Sequence, residues 1–241
     1  MNGQIFNRLE KKYVISKEQK ELFLKELSDY LILDNYASSD GFYYVHSIYF
    51  DNEFDELIHY SIERPPYKEK LRVRSYNLNL DDDDIVYLEI KKKYHGVGNK
   101  RRIKIKYSDY KKILNNEKLE FNNYLTKEIY CEIKQILNVT NCYPKIFISC
   151  LRQAYYNKDN KDFRITFDSK ICFRRNNIDF IEGDCESILD NNLCVMEIKF
   201  ANAIPLEIVN VLTKLNIHRK RFSKYGKAYE KEIKGDIKIW F

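Results

Sequence analysis

Charged side chains alternate with apolar or aromatic residues in seven short segments of this chain. They are Arg8-Leu9-Glu10-Lys11-Lys12-Tyr13, Lys70-Leu71-Arg72-Val73-Arg74, Leu88-Glu89-Ile90-Lys91, Lys100-Arg101-Arg102-Ile103-Lys104, Cys150-Leu151-Arg152, Phe163-Arg164-Ile165-Thr166-Phe167-Asp168 and Met196-Glu197-Ile198-Lys199. Successive side chains of a β-strand point to opposite faces, so each segment predicts a strand with charge on one face and mostly hydrocarbon on the other.

The wider pattern predicts a first strand over 6–15 and a helix over 17–30, capped by Ser16 and carried by Leu22, Phe23 and Leu27. A strand over 43–50 and a short helix within 51–61 follow, the helix stopping before Pro65-Pro66. Three strands over 67–76, 85–94 and 99–105 read as a meander, with Gly96-Val97-Gly98 as a hairpin signal and no nucleotide loop. The Asp81-Asp82-Asp83-Asp84 run reads as a solvated turn, because consecutive residues converge poorly on one ion. A helical stretch over 108–137 divides into two helices, and strands resume over 145–156, 163–173, 178–182 and 193–200. Pro205 opens a helix through 215, and a last helix falls within 223–233. With strands dominant and no internal repeat or Pro/Gly/Ser-rich linker, the expectation is one α+β domain over 1–241.

The polar faces of these strands are crowded with Arg and Lys. By alternation they present Arg8, Glu10 and Lys12; Lys70, Arg72 and Arg74; Glu89 and Lys91; Lys100, Arg102 and Lys104; Arg164 and Asp168; and Glu197 and Lys199. Two like charges 4 Å apart near a surface repel by roughly 4 kcal/mol, so seven such strands in one sheet need relief. A polyanion supplies it, and a closed barrel with its charges inward would enclose that polyanion. The alternative is an open antiparallel sheet with a solvated, salt-bridged face, in which Glu10, Glu89 and Glu197 neutralise their neighbours. One strand alone favours the open sheet; seven together favour the anion-binding tunnel.

Within that tunnel, Arg forks match phosphate oxygens bidentately while Lys supplies mobile point charges. Isolated glutamates there suit a hard divalent cation, Mg²⁺ or Mn²⁺, beside substrate phosphates; ion pairing is the competing role for Glu10 and Glu89. Glu197, between Val195 and Lys199, is the stronger metal candidate. Arg152 shares its face with Ile146, Ile148 and Cys150, which suits a plugged barrel end or an arginine packed at an edge. Arg219-Lys220-Arg221-Phe222-Ser223-Lys224-Tyr225 leads into a helix and reads as a phosphate site at a helix start or as a solvated basic turn.

Composition narrows the setting. The 241 residues, 44% hydrophobic, are enough for a sizeable core, and a net charge of +6 is modest beside nucleic-acid binders with dense basic tails. Six cysteines without a CxxC pair, and no apolar run at the N-terminus, point to reduced thiols in a cytoplasmic protein. Four scattered histidines make a zinc site unexpected, and no stretch approaches the ~18 apolar residues of a membrane span.

Taken in order, Arg8-x-Glu10-x-Lys12-Tyr13, Lys70-Leu71-Arg72-x-Arg74, Glu89-Ile90-Lys91, Lys100-Arg101-Arg102, Arg152, Phe163-Arg164-x-Thr166-x-Asp168, Glu197-Ile198-Lys199 and Phe222-Ser223-Lys224-Tyr225 resemble the VTC domain. That is the catalytic domain of vacuolar-transporter-chaperone polyphosphate polymerases, a branch of the triphosphate tunnel metalloenzymes. The resemblance runs over about 6–229. It implies a closed, eight-stranded antiparallel tunnel with helices packed outside and plugging one end, which binds a nucleoside triphosphate with Mn²⁺ or Mg²⁺ and threads polyphosphate.

Carried over by position, Lys12, Arg72, Arg74, Lys91, Arg102, Arg152, Arg164, Lys199 and Lys224 would line the phosphate path, with Glu197 on the metal. The resulting expectation makes Arg72, Arg74, Lys91, Arg152 and Arg164 catalytic. Arg8, Lys12, Lys70, Lys100, Arg102, Lys104, Lys199 and Lys224 bind substrate, and Glu197, Glu10 and Glu89 hold metal. Related tunnel phosphatases and cyclases open with Glu-x-Glu-x-Lys; Arg8 at the first position resembles the polymerase branch. Fungal members add a sensing domain and membrane helices that this sequence lacks, so translocation by this chain alone is not expected, and a separate membrane partner is left open.

The leading expectation is therefore transfer of the ATP γ-phosphoryl group to a growing polyphosphate. The alternatives are hydrolysis of tripolyphosphate or nucleoside triphosphate on the same fold, and a non-catalytic polyphosphate or inositol-phosphate binding module. Nucleic acid is the least favoured partner, because the aromatics mostly alternate to the wrong face for base stacking.

Overall fold

A computed structural model describes residues 9–34, 40–95, 97–160 and 162–237, so Arg8 and Gly96 lie outside the described residues. The described chain forms ten strands and six helices. In order they are β1 (Leu9–Ser16), α1 (Lys17–Glu26), β2 (Leu31–Leu33), β3 (Tyr43–Asp51), α2 (Glu56–Glu63), β4 (Tyr67–Ser75), β5 (Ile85–Tyr94), β6 (Val97–Lys106), α3 (Tyr107–Leu114), α4 (Tyr124–Thr140), β7 (Tyr143–Asn157), β8 (Arg164–Arg174), β9 (Glu186–Ser187), β10 (Leu193–Phe200), α5 (Leu206–Lys214) and α6 (Lys224–Ile237). The α+β class and nearly all predicted elements are present.

Strand pairing follows the order β1-β10-β8-β7-β3-β4-β5-β6, with β2 on β7 and β9 on β8. This corrects the expectation of a closed eight-stranded barrel: among the described residues there are ten strands on an open path ending at β1 and β6. The outer edge of β1 is covered by irregular chain. Tyr13 bridges Arg219, and the Lys220 amide donates to the Lys12 carbonyl at 2.9 Å.

Two compact units interleave along the sequence. Among the described residues, unit 1 contains those of 45–148 and 173–186, and unit 2 those of 9–44, 149–172 and 187–237. Each has its own core. In unit 1 the apolar sides of β3 to β6, including Ile48, Leu71, Val73, Leu88, Ile90 and Ile103, pack with Tyr110 and Ile113 of α3 and Ile129, Tyr130 and Ile133 of α4. In unit 2, Tyr13, Ile15, Ile165, Phe167, Met196 and Ile198 pack with Phe23 of α1 and Ile208, Val211 and Leu212 of α5. Alternation thus turns one face of each strand into its core and commits the charged face elsewhere.

Local chemistry sets the boundaries. Ser16 Oγ accepts from the Gln19 amide while Gln19 accepts from the Ser16 amide, a reciprocal cap contributing about 1 kcal/mol to the start of α1. The helix ends earlier than predicted, with Leu27 as its C-cap, and the chain turns into the short β2. The predicted strand over 178–182 is instead a loop. Its alternate carbonyls turn to one buried cation: the Arg174 guanidinium donates to the carbonyls of Asn177, Asp179, Ile181 and Gly183, with no strand partner needed.

Candidate functional site

In unit 1 the register stacks the charged positions into rows across the strands. Lys70, Lys91 and Lys100 are directly opposite one another; Arg72, Glu89 and Arg102 form the next row; Arg74, Tyr87 and Lys104 the third. β3 extends two of these rows, placing Tyr49 beside Arg72 and Ser47 beside Arg74. Glu89 is the one carboxylate in these rows among the described residues, and its side chain is 1% exposed. Arg72 Nε approaches it at 2.7 Å, Arg74 Nη2 at 3.6 Å, and the Lys100 ammonium contacts its other oxygen.

Burial alone would raise the Glu89 pKa, but Arg74, Arg72 and Lys100 outweigh it and hold the carboxyl well below its usual range. Burial acts in the opposite sense on Lys100: with Arg74 and Arg72 nearby it pulls the ammonium down to about 7 despite Glu89. Tyr49 accepts a hydrogen bond from Arg72 Nη1 at 3.0 Å, and the Arg102 guanidinium lies 4.8 Å from the Tyr87 ring centroid. Arg74 is 8% exposed and its Nε has no hydrogen-bond partner among the described residues, so a buried donor remains for an incoming acceptor.

Unit 2 balances its charges more closely. Register aligns Glu10, Lys199 and Arg164 in one row and Lys12, Glu197 and Thr166 in the next. Lys12 Nζ lies 3.1 Å from Glu10 and 3.7 Å from Glu197, while Lys199 Nζ lies 3.0 Å from the other Glu197 oxygen. Burial, against the pull of Glu197, lowers the Lys199 pKa. Asp168 is fully buried. It accepts a bidentate pair from Arg152, Nε at 2.6 Å and Nη2 at 2.8 Å, and a contact from Lys224 at the start of α6. Burial would raise its pKa, yet Arg152 and Lys224 hold it far below the usual carboxylate range. Arg164 pairs with Asp34 and reaches the Tyr43 hydroxyl at 3.4 Å.

The predicted residues are therefore gathered within each unit. Lys70, Arg72, Arg74, Lys91, Lys100, Arg102 and Lys104 share one face of unit 1. Lys12, Lys199, Arg152, Arg164 and Lys224 are in unit 2, where Arg152 has much of its fork occupied by Asp168. Sequence reasoning missed Tyr49 and Asp34 because neither lies in a segment of alternating charge. Tyr49 is set opposite Arg72 by the register of β3 on β4, which the sequence pattern does not show.

Among the described residues, no group of three or more His, Cys, Asp or Glu is placed to hold a metal. Two of the three proposed metal residues nevertheless fit a divalent cation. Glu10 and Glu197, on neighbouring strands, converge on the single ammonium of Lys12, and the buried Thr166 hydroxyl beside Glu197 has no hydrogen-bond partner among the described residues. One or two carboxylates completed by substrate phosphate oxygens is the usual donor set for Mg²⁺. Glu89, enclosed by three cations, occupies the ion-pair role that the sequence had left open for it.

The VTC domain family matches residues 7–233. The chain belongs to this VTC-domain family. No curated protein sequence matches it significantly. Among solved structures, a Bacillus halodurans protein designated a candidate adenylate cyclase is 12% identical with TM-score 0.53, covering 91% of this chain and 95% of its own. A Pyrococcus horikoshii protein is 14% identical with TM-score 0.45, over 93% and 99% of the two chains, and the mimivirus capping-enzyme triphosphatase is 10% identical with TM-score 0.34, over 86% and 90%. The first of these likenesses concerns the fold of the VTC-domain chain. No helix among its described residues is long and apolar enough to cross a membrane.

Proposed function

We propose that this VTC-domain protein is a phosphoryl-transfer enzyme, and specifically a polyphosphate polymerase that moves the γ-phosphoryl group of ATP onto the end of a polyphosphate chain. One observation carries the reading: β4, β5 and β6 present three consecutive rows of lysine and arginine against the single carboxylate of Glu89. Such a face is electrostatically costly until an anion of several charges occupies it.

In the reaction a terminal oxygen of the acceptor polyphosphate forms a bond to the γ-phosphorus, the β–γ bridging bond breaks, and ADP leaves. The acceptor oxygen is already anionic, so alignment and charge stabilisation supply most of the rate and no strong general base is required. Arg72 and Arg74, fixed by Glu89, are suited to phosphate oxygens, while Lys70, Lys91, Lys100, Arg102 and Lys104 neutralise the chain. In unit 2, Lys12, Lys199, Arg152, Arg164 and Lys224 are the cations offered to substrate. A divalent cation, Mn²⁺ or Mg²⁺, would supply Lewis-acid charge stabilisation, with Glu10 and Glu197 holding it. ATP and polyphosphate are the partners in this reading, with no nucleic acid, in the cytoplasm and with a membrane partner supplied, if at all, by another chain.

Incubation of purified protein with ATP and Mn²⁺, with products run on a polyphosphate gel, tests the proposal. A ladder of long chains is expected. Orthophosphate alone would replace the polymerase with a tripolyphosphatase or nucleoside triphosphatase, and no turnover would leave a polyphosphate or inositol-phosphate binding module.

A further inference from the structure

We propose that Lys68 and Lys93 extend the basic face of unit 1 by one row and form a subsite for the distal phosphates of a long inorganic polyphosphate, beyond the reach of a triphosphate. The proposal rests on the phosphate-handling reading above and adds to it a place where chain length is sensed. Register sets Lys68 opposite Lys93, and Lys93 opposite Gly98. These positions differ by two residues from Lys70, Lys91 and Lys100, so all lie on the same face. Two adjacent rows thus hold Lys68, Lys70, Lys91, Lys93 and Lys100, the last of them also in contact with Glu89 of the next row.

Like charges directly opposite one another destabilise a sheet. Same-face rows are about 7 Å apart along a strand, so the rows from Lys68 to Arg74 extend over about 20 Å. That length suits a chain of phosphates better than one compact anion. The outer rows contain lysines and no arginine. Their flexible point charges suit a chain that must move, whereas the rigid forks of Arg72 and Arg74 suit phosphates held in one orientation.

Gly98 leaves the end of the outer row clear: no described atom lies within 4 Å of where its Cβ would be. Lys68 Nζ donates to the Ser61 carbonyl near the end of α2 at 3.2 Å, which anchors one side of the row. The flanking aromatics Tyr67 and Tyr94 fall on the opposite face by alternation, so nothing in these rows offers a platform for a nucleobase.

The test measures affinity of the full chain for tripolyphosphate and for long-chain polyphosphate, in the wild type, in the Lys68→Gln/Lys93→Gln double variant and in Gly98→Glu. The last places a carboxylate in open space on an unstrained backbone, so it remains informative if the double variant fails to fold. Both variants are expected to weaken long-chain binding roughly tenfold or more, leave tripolyphosphate binding unchanged, and reduce the salt dependence of long-chain binding. Unchanged long-chain affinity, an equal loss for both ligands, or equal competition by single-stranded DNA would overturn the subsite. Wild-type protein that binds neither phosphate ligand would instead overturn the phosphate-handling reading, a result distinct from loss of the outer row alone.

Discussion

Units 1 and 2 use the same strand alternation to opposite electrostatic ends. On β4, β5 and β6 one glutamate serves Arg72, Arg74 and Lys100 while further lysines crowd the same face. In unit 2 carboxylates nearly keep pace with cations: Asp168 holds Arg152 and Lys224, Asp34 holds Arg164, and Glu10 and Glu197 hold Lys12 and Lys199. A face with surplus positive charge attracts an anion, and Arg72 and Arg74, held by Glu89, are the groups that can orient it. A balanced face pre-orients its side chains through those ion pairs.

The sharpest way to break this comparison is to remove the central carboxylate of each unit. Asp168→Asn and Glu89→Gln should each destabilise the protein by about 3–5 kcal/mol in urea unfolding, because each strands buried cations. Asp168→Asn should cost more, since it ends the bidentate pair with Arg152 and the contact with Lys224 together. Tripolyphosphate should then raise the melting temperature of Glu89→Gln more than that of Asp168→Asn. Equal recovery would mean that the two faces do not differ in their appetite for anions.

The next effect falls on turnover. Glu197→Gln keeps the size of the side chain and should leave the fold intact while lowering turnover about 10²-fold or more and weakening Mn²⁺ binding in a titration. Arg72→Ala or Arg74→Ala should also abolish turnover, with a folded protein by circular dichroism. Loss of folding in all three would return these residues to a structural role.

The strands that carry this contrast were legible in the sequence because charge alternates with hydrocarbon within single short segments, as in Lys70-Leu71-Arg72-Val73-Arg74. Barrel closure was not legible, since alternation assigns faces and says nothing of which strands become edges. The segment at Arg219 and Lys220 that covers β1 carries no strand signal at all. The loop after Asn177 reads as a strand because Ile178 and Phe180 alternate with Asn177 and Asp179, but its carbonyls are taken by the Arg174 side chain, a pairing that the pattern of apolar positions does not show. For the site, residue types were recoverable whereas pairings were not: that Arg152 spends its fork on Asp168, or that Asp34 holds Arg164, depends on packing between segments far apart in sequence.

A pH series probes Lys100 on the surplus face, while Lys199 of unit 2, whose pKa is also lowered, titrates as a second group. Lys100, 39% exposed, is held down to about 7, so below that pH it is charged in both folded and unfolded chains and the cost of its partial desolvation beside Arg74 and Arg72 is fully present. Between about 7 and its unfolded value the unfolded chain binds the extra proton, so this group's contribution to stability improves as pH rises. Anion binding runs the other way: affinity for tripolyphosphate should weaken as pH rises through 7 and beyond, because the ammonium is lost. Lys100→Arg should flatten that part of the affinity profile, since a guanidinium stays charged. An unchanged profile would remove Lys100 from the binding face.

The smallest expected effect belongs to the balanced face. Thr166, 1% exposed, carries a buried hydroxyl with no hydrogen-bond partner among the described residues, in the row of Lys12 and Glu197. A buried hydroxyl left unsatisfied costs stability, so the near-isosteric Thr166→Val should raise stability by about 1 kcal/mol in urea unfolding. If the hydroxyl instead awaits a metal or a phosphate oxygen beside Glu197, the same variant should raise the substrate KM a few-fold, and Thr166→Ser should restore it. Greater stability without a change in KM would mark the hydroxyl as a packing accident. Greater stability together with a higher KM would show that the balanced face keeps an unsatisfied group for its ligand.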